Sequence, residues 1–320
     1  MSLRTAVVGG GTVSGNHLDG IDSMPLTTLA AFCDIDEDRV REVAAEYGVT
    51  GYTDVETMLA EADLDWIHLC TPVGTHLDLA TKAIEAGVPV LIQKPITETA
   101  AEYERLAETA REHGVHVSAV HNHVFDPAMR ELTTALQGDA VGEVRAVDVR
   151  YTGQTYPDDV RRGEWAFDLP GGEFEEGLPH PLYLLLRVGG YPRSEEGVQV
   201  VTHCRGEYER PFTYDGAKIQ YCSQDDLLCS ATLTPGTVPD KSVTVHGEDG
   251  VLIADLISQT LVTLDRDYQA SPIARARSNV DRAIARLRGN VANLRRVIDR
   301  RRNDDWETKT ELDAHAYQFE

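Results

Sequence analysis

The sequence predicts two domains: an α/β domain with a parallel, doubly wound sheet over residues 1–123, and an α+β domain with a mostly antiparallel sheet over residues 124–320. In the first part of the chain, short apolar runs alternate with helical patterns, which is typical of βαβ units. After Asp126, strand patterns follow one another with turn signals between them, which indicates antiparallel pairing. A length of 320 residues also favours two domains over one.

Strands and helices alternate in the first predicted domain. Its last helix has Thr97 as a candidate N-cap and acidic residues in its first turns, and Gly114 ends it. The predicted strands are Thr5–Val8, Thr28–Asp34, Trp66–Cys70, Val88–Ile92 and His116–Val120. The predicted helices are Ser14–Ile21, Glu37–Tyr47, Val55–Ala60, His76–Ala86 and Thr99–His113.

The second predicted domain begins with a helix over Pro127–Leu136, and a helix near His180–Arg187 interrupts its strands. The predicted strands are Glu143–Tyr151, Gly197–Tyr208, Ala217–Cys222, Leu227–Thr234, Ser242–His246, Val251–Asp255 and Thr260–Leu264.

A glycine turn follows the first strand. Gly9 and Gly11 occupy the first two positions of G-x-G-x-x-G, and Ser14 stands at the third. Such a turn lets a pyrophosphate approach the N-terminus of a helix. Asp34 ends the next strand, where a carboxylate accepts hydrogen bonds from ribose hydroxyls and repels a 2′-phosphate. We therefore expect a dinucleotide, with NAD favoured over NADP.

Two later strand ends carry further candidates. Thr71 and Pro72 follow the third predicted strand and are positioned to line the cofactor, whereas His76 is as consistent with a structural role at the helix start. Lys94, between Gln93 and Pro95, ends a buried strand. Desolvation beside a cationic nicotinamide lowers the pKa of a lysine, so Lys94 is a candidate for proton exchange with a substrate hydroxyl. We expect the Lys94–Pro95 bond to be cis.

Glu176 and His180 lie four residues apart in a glycine-rich segment. At that spacing the carboxylate can orient the imidazole, which is suited to taking a hydroxyl proton near neutral pH. No third or fourth ligand follows at a suitable spacing, so no metal site is predicted. Asn122, at the end of the fifth predicted strand, is a candidate for bonding a cofactor amide or substrate hydroxyl, although a strand-end polar cluster explains it nearly as well.

The net charge of −23 disfavours nucleic acid and anionic membranes as partners, and only five of the thirty basic residues are lysines. We interpret this acidic surface as that of a halophilic protein.

No run of about 18 apolar residues is present, and no signal peptide is predicted. Five cysteines without a CxxC motif favour a reducing, cytoplasmic location.

The segment from Pro272 to Arg302 is predicted to form one long helix. It holds ten arginines against Asp281 and Asp299, a net charge of +8, so the rest of the chain carries −31. A helix packed on the acidic body of its own or a sister subunit explains this pattern, and a docking helix for a partner or an anionic surface is the alternative. Its apolar residues form one seam: Ile273, Val280, Ile284, Leu287, Val291, Leu294 and Ile298.

Taken together, these segments resemble the glucose–fructose oxidoreductase, inositol dehydrogenase and MocA family of NAD(P)-dependent oxidoreductases. The resemblance covers roughly residues 4–265 and depends on the order of short motifs: the G-x-G at Gly9, Asp34, Thr71-Pro72 with His76, Lys94-Pro95, Phe125-Asp126-Pro127, Gly142-Glu143-Val144, Gly171-Gly172 and His180.

The resemblance implies an N-terminal Rossmann domain and a C-terminal sheet with an open face that forms homodimers or homotetramers. It also implies hydride transfer between nicotinamide and a carbon of a sugar or cyclic polyol. The lysine of the family's E-K-P motif maps onto Lys94, and its later Asp and His map onto Glu176 and His180. Gln93 replaces the usual Glu, Tyr183 stands where a second Asp often follows the His, and His123 stands where many members have Arg or Tyr.

The sequence therefore predicts an NAD-dependent oxidoreductase acting on a sugar, nucleotide-sugar or polyol, with a non-catalytic dinucleotide- or sugar-sensing protein as the alternative. The expected catalytic residues are Lys94, His180 and Glu176. The residues expected to bind the cofactor are Gly9, Gly11, Thr12, Val13, Asp34, Ile35, Thr71, Pro72, His76, Gln93, Lys94 and Asn122.

The charge distribution predicts that salt stabilises the fold. Like charges on the acidic body repel one another in dilute buffer, whereas at roughly molar salt the screening length is about 3 Å. The melting temperature should therefore rise substantially from dilute buffer to molar potassium chloride in a thermal denaturation series. A flat or falling melting temperature would contradict the halophilic interpretation.

Overall fold

The computed structural model describes residues 2–160, 164–265 and 271–303. The chain divides into two compact units, with the boundary between His121 and Asn122. Within the described ranges, no helix combines the length and the apolar character that crossing a bilayer requires.

The first unit is built on a six-stranded parallel sheet in the order β3-β2-β1-β4-β5-β6. Its strands are β1 (Leu3–Val8), β2 (Thr27–Cys33), β3 (Thr50–Tyr52), β4 (Trp66–Leu69), β5 (Val90–Ile92) and β6 (Val117–Ala119). Its helices are α1 (Ser14–Ser23), α2 (Glu37–Tyr47), α3 (Val55–Glu61), α4 (His76–Glu85) and α5 (Ala100–His113).

Both faces of this sheet are buried, which confirms the doubly wound architecture. Successive residues of β1 point to opposite faces, so Val7 packs with Phe32 and Leu18 in one core cluster. Its neighbours Ala6 and Val8 belong to a separate cluster on the other face. Burial on both faces explains why these strands are continuous apolar runs. The strand order reverses beside β1, which opens a crevice at the carboxyl ends of the strands.

Two local details differ from the sequence-based prediction. The short edge strand β3 was not predicted, because three residues are too few to show a period. The N-cap of α5 is Thr99 and not Thr97. The Thr99 hydroxyl accepts a hydrogen bond from the Glu102 amide, and the Glu102 carboxylate accepts one from the Thr99 amide, so the two form a capping box. Gly114 ends the helix in the left-handed conformation, as predicted.

The second unit contains a seven-stranded sheet in the order β13-β12-β11-β7-β10-β9-β8. Only the β7–β10 pair is parallel, which confirms a mostly antiparallel sheet. The strands are β7 (Val144–Gln154), β8 (Gln199–His203), β9 (Gly216–Cys222), β10 (Leu228–Pro235), β11 (Asp240–Gly247), β12 (Gly250–Asp255) and β13 (Thr260–Asp265). The helices are α6 (Pro127–Gln137), α7 (Gly172–Glu176), α8 (Pro179–Gly189) and α9 (Pro272–Asn303).

The two faces of this sheet differ in character. Val147 and Val149 of β7 are buried with Leu132 of α6 and Leu184 of α8 in one core cluster. Asp148 and Arg150, which alternate with these valines, are polar and point to the other face. The predicted strand Gly197–Tyr208 is shorter in the structure, where β8 ends at His203.

The capping box predicts a specific loss of stability. Replacing a capping threonine with alanine typically costs about 1 kcal/mol, so Thr99→Ala should lower the free energy of unfolding by that amount in denaturant titrations. Thr97→Ala is the matched control. It removes a hydroxyl that donates only to the carbonyl of Thr99, so its loss should be smaller. Equal losses for the two variants would contradict this assignment of the cap.

Candidate functional site

The glycine turn after β1 has a different requirement at each glycine. Gly9 has a φ of +96°, and a Cβ there would lie 2.8 Å from the Cys70 backbone, so the protein's own packing requires glycine. At Gly11 a Cβ would lie 3.7 Å from the Cys70 carbonyl, an ordinary contact. The third motif position, Ser14, is fully buried and its hydroxyl donates to the Gly11 carbonyl over 2.7 Å. The chain alone therefore does not demand glycine at Gly11, which is consistent with close approach by a ligand.

A cavity of about 690 Å³ lies at this edge of the sheet. Of the predicted cofactor residues, those that line it are Gly9, Gly11, Asp34, Ile35, Thr71 and Pro72. Gly10, which was not predicted, also lines it. The Asp34 carboxylate accepts hydrogen bonds from the amide of Gly10 over 2.6 Å and from the amide of Asp36 over 2.9 Å. These bonds fix the carboxylate at the wall of a cavity large enough for part of a dinucleotide.

The other predicted cofactor residues do not belong to this cavity lining. Thr12 and Val13 lie in the turn between Gly11 and α1. His76 is buried, with Nε2 2.8 Å from the Thr71 carbonyl and Nδ1 3.0 Å from the Pro95 carbonyl. Burial lowers the pKa of His76, and the carbonyl contacts oppose that shift. Its ring therefore joins the turn after β4 to the turn after β5, a structural position at the back of the site.

Gln93 belongs to a buried polar chain that sequence reasoning missed. Its side-chain nitrogen lies 2.6 Å from Nε2 of His17, and Nδ1 of His17 lies 2.8 Å from Nδ1 of His68. His17 is fully buried, and burial lowers the pKa of His68 to about 4, so His68 is neutral at pH 7. One signal was available: His68 is the one ionisable residue in the strand Trp66–Leu69.

Lys94 follows Gln93 directly after β5 and is partly buried. The Lys94–Pro95 peptide bond is cis, as predicted. Lys94 lies at the carboxyl edge of the parallel sheet, just after the strand that pairs with β4.

In the second unit, the hydroxyl of Tyr183 joins three residues. It donates to Asn122 Oδ1 over 3.0 Å and accepts from the backbone amide of His123 over 3.1 Å. Nδ1 of His180 lies 2.9 Å from the same oxygen. Because the tyrosine proton is already donated to Asn122, His180 must donate from Nδ1, which leaves Nε2 unprotonated in the neutral ring. The geometry therefore selects the tautomer whose Nε2 is a base.

Two further side chains surround His180. The rings of His123 and His180 are 4.9 Å apart in an edge-to-face arrangement, and Tyr151 stacks on His180 at 5.9 Å. His123 is itself held between Asp126, 3.0 Å from Nδ1, and the Tyr151 hydroxyl, 3.0 Å from Nε2. The roles of Asp126 and Tyr151 were not predicted, because no local pattern relates β7 to the start of α6.

The predicted orienting residue of His180 was Glu176. The structure places Glu176 at the end of α7, buried and four residues before His180. At Nδ1 of His180 the structure shows the Tyr183 hydroxyl as a hydrogen-bond partner. The signal for Tyr183 was its spacing, because a residue three positions after His180 on α8 lies on the same helical face. Asn122, predicted to face the cofactor or substrate, uses its Oδ1 to accept from Tyr183.

Comparisons with known proteins extend this description. Inositol 2-dehydrogenase 1 of Saccharopolyspora erythraea is 33% identical over 148 residues, which are 45% of this chain and 44% of that protein. The dTDP-3,4-didehydro-2,6-dideoxy-alpha-D-glucose 3-reductase of Streptomyces violaceoruber is 28% identical over 275 residues, 83% of this chain and 74% of that protein. Among the curated relatives that the chain matches, four are spanned over only 38 to 44% of their length.

A solved structure with the same fold is that of an oxidoreductase from Agrobacterium radiobacter in complex with NAD+, L-tartaric acid and magnesium. It has a TM-score of 0.74 at 17% identity, and the match covers 99% of this chain and 93% of that one. A family model described as an oxidoreductase family with an NAD-binding Rossmann fold matches residues 3–121, the range of the first unit. The first unit of this chain therefore belongs to that oxidoreductase family, the family of glucose–fructose oxidoreductase, inositol dehydrogenase and MocA.

Proposed function

We propose that this chain is an NAD-dependent oxidoreductase that transfers hydride between nicotinamide and a hydroxyl-bearing carbon of a sugar, nucleotide-sugar or cyclic polyol. The observation that carries the proposal is the hydrogen bonding of His180. A buried imidazole whose Nδ1 proton is held by a hydroxyl presents Nε2 as a base, which proton transfer requires and simple ligand binding does not. The family match of residues 3–121 supports the redox chemistry.

The cavity residues fit a dinucleotide. Gly9 and Gly11 leave the backbone accessible for a pyrophosphate at the start of α1, and Asp34 stands where ribose hydroxyls would donate. Thr71 and Pro72 would flank the rest of the dinucleotide. NAD, when bound, supplies the hydride acceptor or donor at its nicotinamide ring.

Lys94 and His180 are the proposed proton-transfer residues. An ammonium can donate a hydrogen bond to a substrate hydroxyl or carbonyl oxygen, and Nε2 of His180 can accept the hydroxyl proton during oxidation and return it during reduction. Tyr183 keeps His180 in the reactive tautomer. Glu176, predicted from its spacing to assist His180, remains a proposed supporting carboxylate.

The names of the relatives support the substrate class. One relative is an inositol dehydrogenase and another reduces a dTDP-linked deoxy sugar. The dehydrogenase oxidises a hydroxyl-bearing ring carbon and the reductase converts a ring carbonyl into one, so a polyol or sugar is the substrate class we propose for this chain. We also propose that the protein is cytoplasmic, adapted to high salt, and a homodimer or homotetramer.

A non-catalytic sensor on the same fold is the competing function. A sensor would need the cavity but not the arrangement at His180. A panel of sugars and polyols, followed at the nicotinamide absorbance in high salt, separates the two: turnover supports the enzyme, and binding without turnover of any panel member supports the sensor.

The position of Asp34 predicts a preference for NAD(H) over NADP(H). A 2′-phosphate would face this carboxylate, while Ile35 beside it offers no positive charge and Lys82 in the same cavity is paired with Asp78 and Glu56. Calorimetric titration should show tighter binding of NADH than of NADPH, and Asp34→Asn should narrow the difference. Tighter binding of NADPH by the unmodified protein would overturn this prediction.

The proposed proton transfer predicts that Lys94→Ala and His180→Ala each lower kcat by about 10²-fold or more, the typical contribution of general acid–base catalysis. NADH binding, measured by calorimetry, should change little. Lys218→Ala, which removes an exposed lysine on β9, is the control and should leave kcat unchanged.

Tyr183→Phe tests the positioning of His180. The variant removes the hydroxyl that accepts the Nδ1 proton of His180 and so favours this tautomer, so kcat should fall by less than in His180→Ala and its pH profile should shift. Near wild-type kcat in Lys94→Ala or His180→Ala would remove that residue from the mechanism. An unchanged pH profile in Tyr183→Phe would remove the proposed role of its hydroxyl.

A further inference from the structure

Helix α9 has an exposed apolar seam along one face. Six of its residues repeat every seven positions and alternate at spacings of four and three, which is the a/d pattern of a coiled coil. All six are exposed, from 39% for Ile284 to 63% for Leu287. They are Ile284, Val291 and Ile298 at a, and Val280, Leu287 and Leu294 at d.

The helix packs on its own sheet through a different face. Ser278 is buried, and a Cβ at Gly289 would lie 2.4 Å from a side-chain carbon of Thr260 on β13. The Asn293 side chain donates to the Ser258 carbonyl over 2.5 Å. Small and polar residues thus attach α9 to the sheet, so the seam is not needed for the fold of this unit. An apolar stripe of three heptads facing water is typical of an interaction surface.

The composition of the seam indicates its occupant. The three a positions of the seam hold β-branched residues, and leucines occupy two of its three d positions. This combination favours pairing of two helices. The flanking g positions Ala283 and Asn290 carry no charge, so they permit close approach of an identical helix. We propose that α9 is a homodimerisation helix whose seam pairs with the seam of α9 in a second copy of this chain.

The charges on α9 select an antiparallel arrangement. In a parallel pair, Arg277, which occupies an a position, would face Arg277 of the second copy, and Asp281 at e would face an alanine at g. In the antiparallel register that places Ile284 against Leu287 of the second copy, Val291 meets Val280. Asp281 of each copy then faces Arg288 of the other copy, which gives two equivalent ion pairs by two-fold symmetry. Arg277 faces a leucine at the end of the seam and can extend to solvent.

Other occupants are less consistent with the charges. An anionic membrane would attract the arginines but be repelled by the remainder of the chain, which carries −31. The net charge of +8 on each helix opposes pairing in dilute buffer, but screening within about 3 Å at molar salt removes most of this repulsion while the apolar contact persists. The dimer should therefore be tighter in molar potassium chloride than in dilute buffer.

This inference rests on the proposal that the chain is a homo-oligomer, and not on its proposed catalysis. Sedimentation velocity of the full chain in molar potassium chloride tests it with Leu287→Glu and with Val201→Glu. Val201 is an exposed valine on β8, in the sheet, and serves as the matched control. Leu287→Glu should weaken self-association by at least tenfold, whereas Val201→Glu should leave it unchanged.

A charge exchange tests the register without placing a charge in the seam. In about 0.1 M salt, Asp281→Arg and Arg288→Asp should each weaken the dimer, and the double exchange should restore it, because each pair is rebuilt between the two copies. A parallel pair would show no such restoration.

Four results of these experiments would overturn the proposal or a part of it. A monomeric unmodified protein at micromolar concentration in both salts would overturn the inference together with the homo-oligomer, without affecting the proposed enzyme. A dimer that Val201→Glu disrupts and Leu287→Glu does not would place the interface on the sheet and overturn this inference alone. Dimers broken by Leu287→Glu but not restored by the double exchange would overturn the antiparallel register. Binding to vesicles of anionic lipid that Leu287→Glu abolishes, with no dimer, would identify a membrane as the occupant.

Discussion

The requirement that the first sheet be buried on both faces organises the N-terminal unit. Since Ala6, Val7 and Val8 all face core, this part of β1 is apolar, and the candidate cofactor residues lie where the strands end. The glycine turn, Asp34 and Lys94 all follow buried strands at the same edge of the sheet. Parallel strands share that edge, so the packing of the core brings these candidate residues to one edge of the sheet.

In the second unit, the arrangement of side chains around His180 depends on one hydroxyl group. Tyr183 belongs to α8, yet its oxygen is bonded to the side chain of Asn122 and the backbone of His123, which both precede α6. The same oxygen fixes the imidazole of His180. An oxygen with one donor and two acceptor sites is fully used by these three partners. The imidazole of His180 is therefore oriented by a side chain of its own helix, and that side chain is held by residues that precede α6.

Most of the first unit was predictable from sequence because its signals are local. Alternating apolar runs and helical patterns identified five of the six strands, and β3 escaped because it has three residues. The glycine turn and Asp34 were found by spacing within one βαβ unit. The side-chain contacts that sequence reasoning did not identify join distant segments. His76 bonds to a carbonyl nineteen residues away, His17 to Gln93 seventy-six residues away, and His123 to Tyr151 across a helix.

For α9 the sequence predicted the helix but not its buried face. The period of the seam was plain in the sequence, and the helix was predicted almost to its ends. The sequence did not show which face of α9 packs on the sheet, because glycine and serine on the side opposite the seam give no apolar signal although they allow the closest approach to β13.

The buried imidazole of His68, which contacts His17 behind Gln93, makes the first unit sensitive to acid. An exposed histidine takes up a proton near its usual pKa of 6.5, whereas burial lowers the pKa of His68 to about 4. Between these values the unfolded chain binds a proton that the folded unit refuses, so the contribution of His68 to stability is complete above about pH 6.5 and is lost as the pH falls through 4. Protonation of His68 therefore lowers the free energy of unfolding of this unit as the pH falls from about 6.5 to about 4.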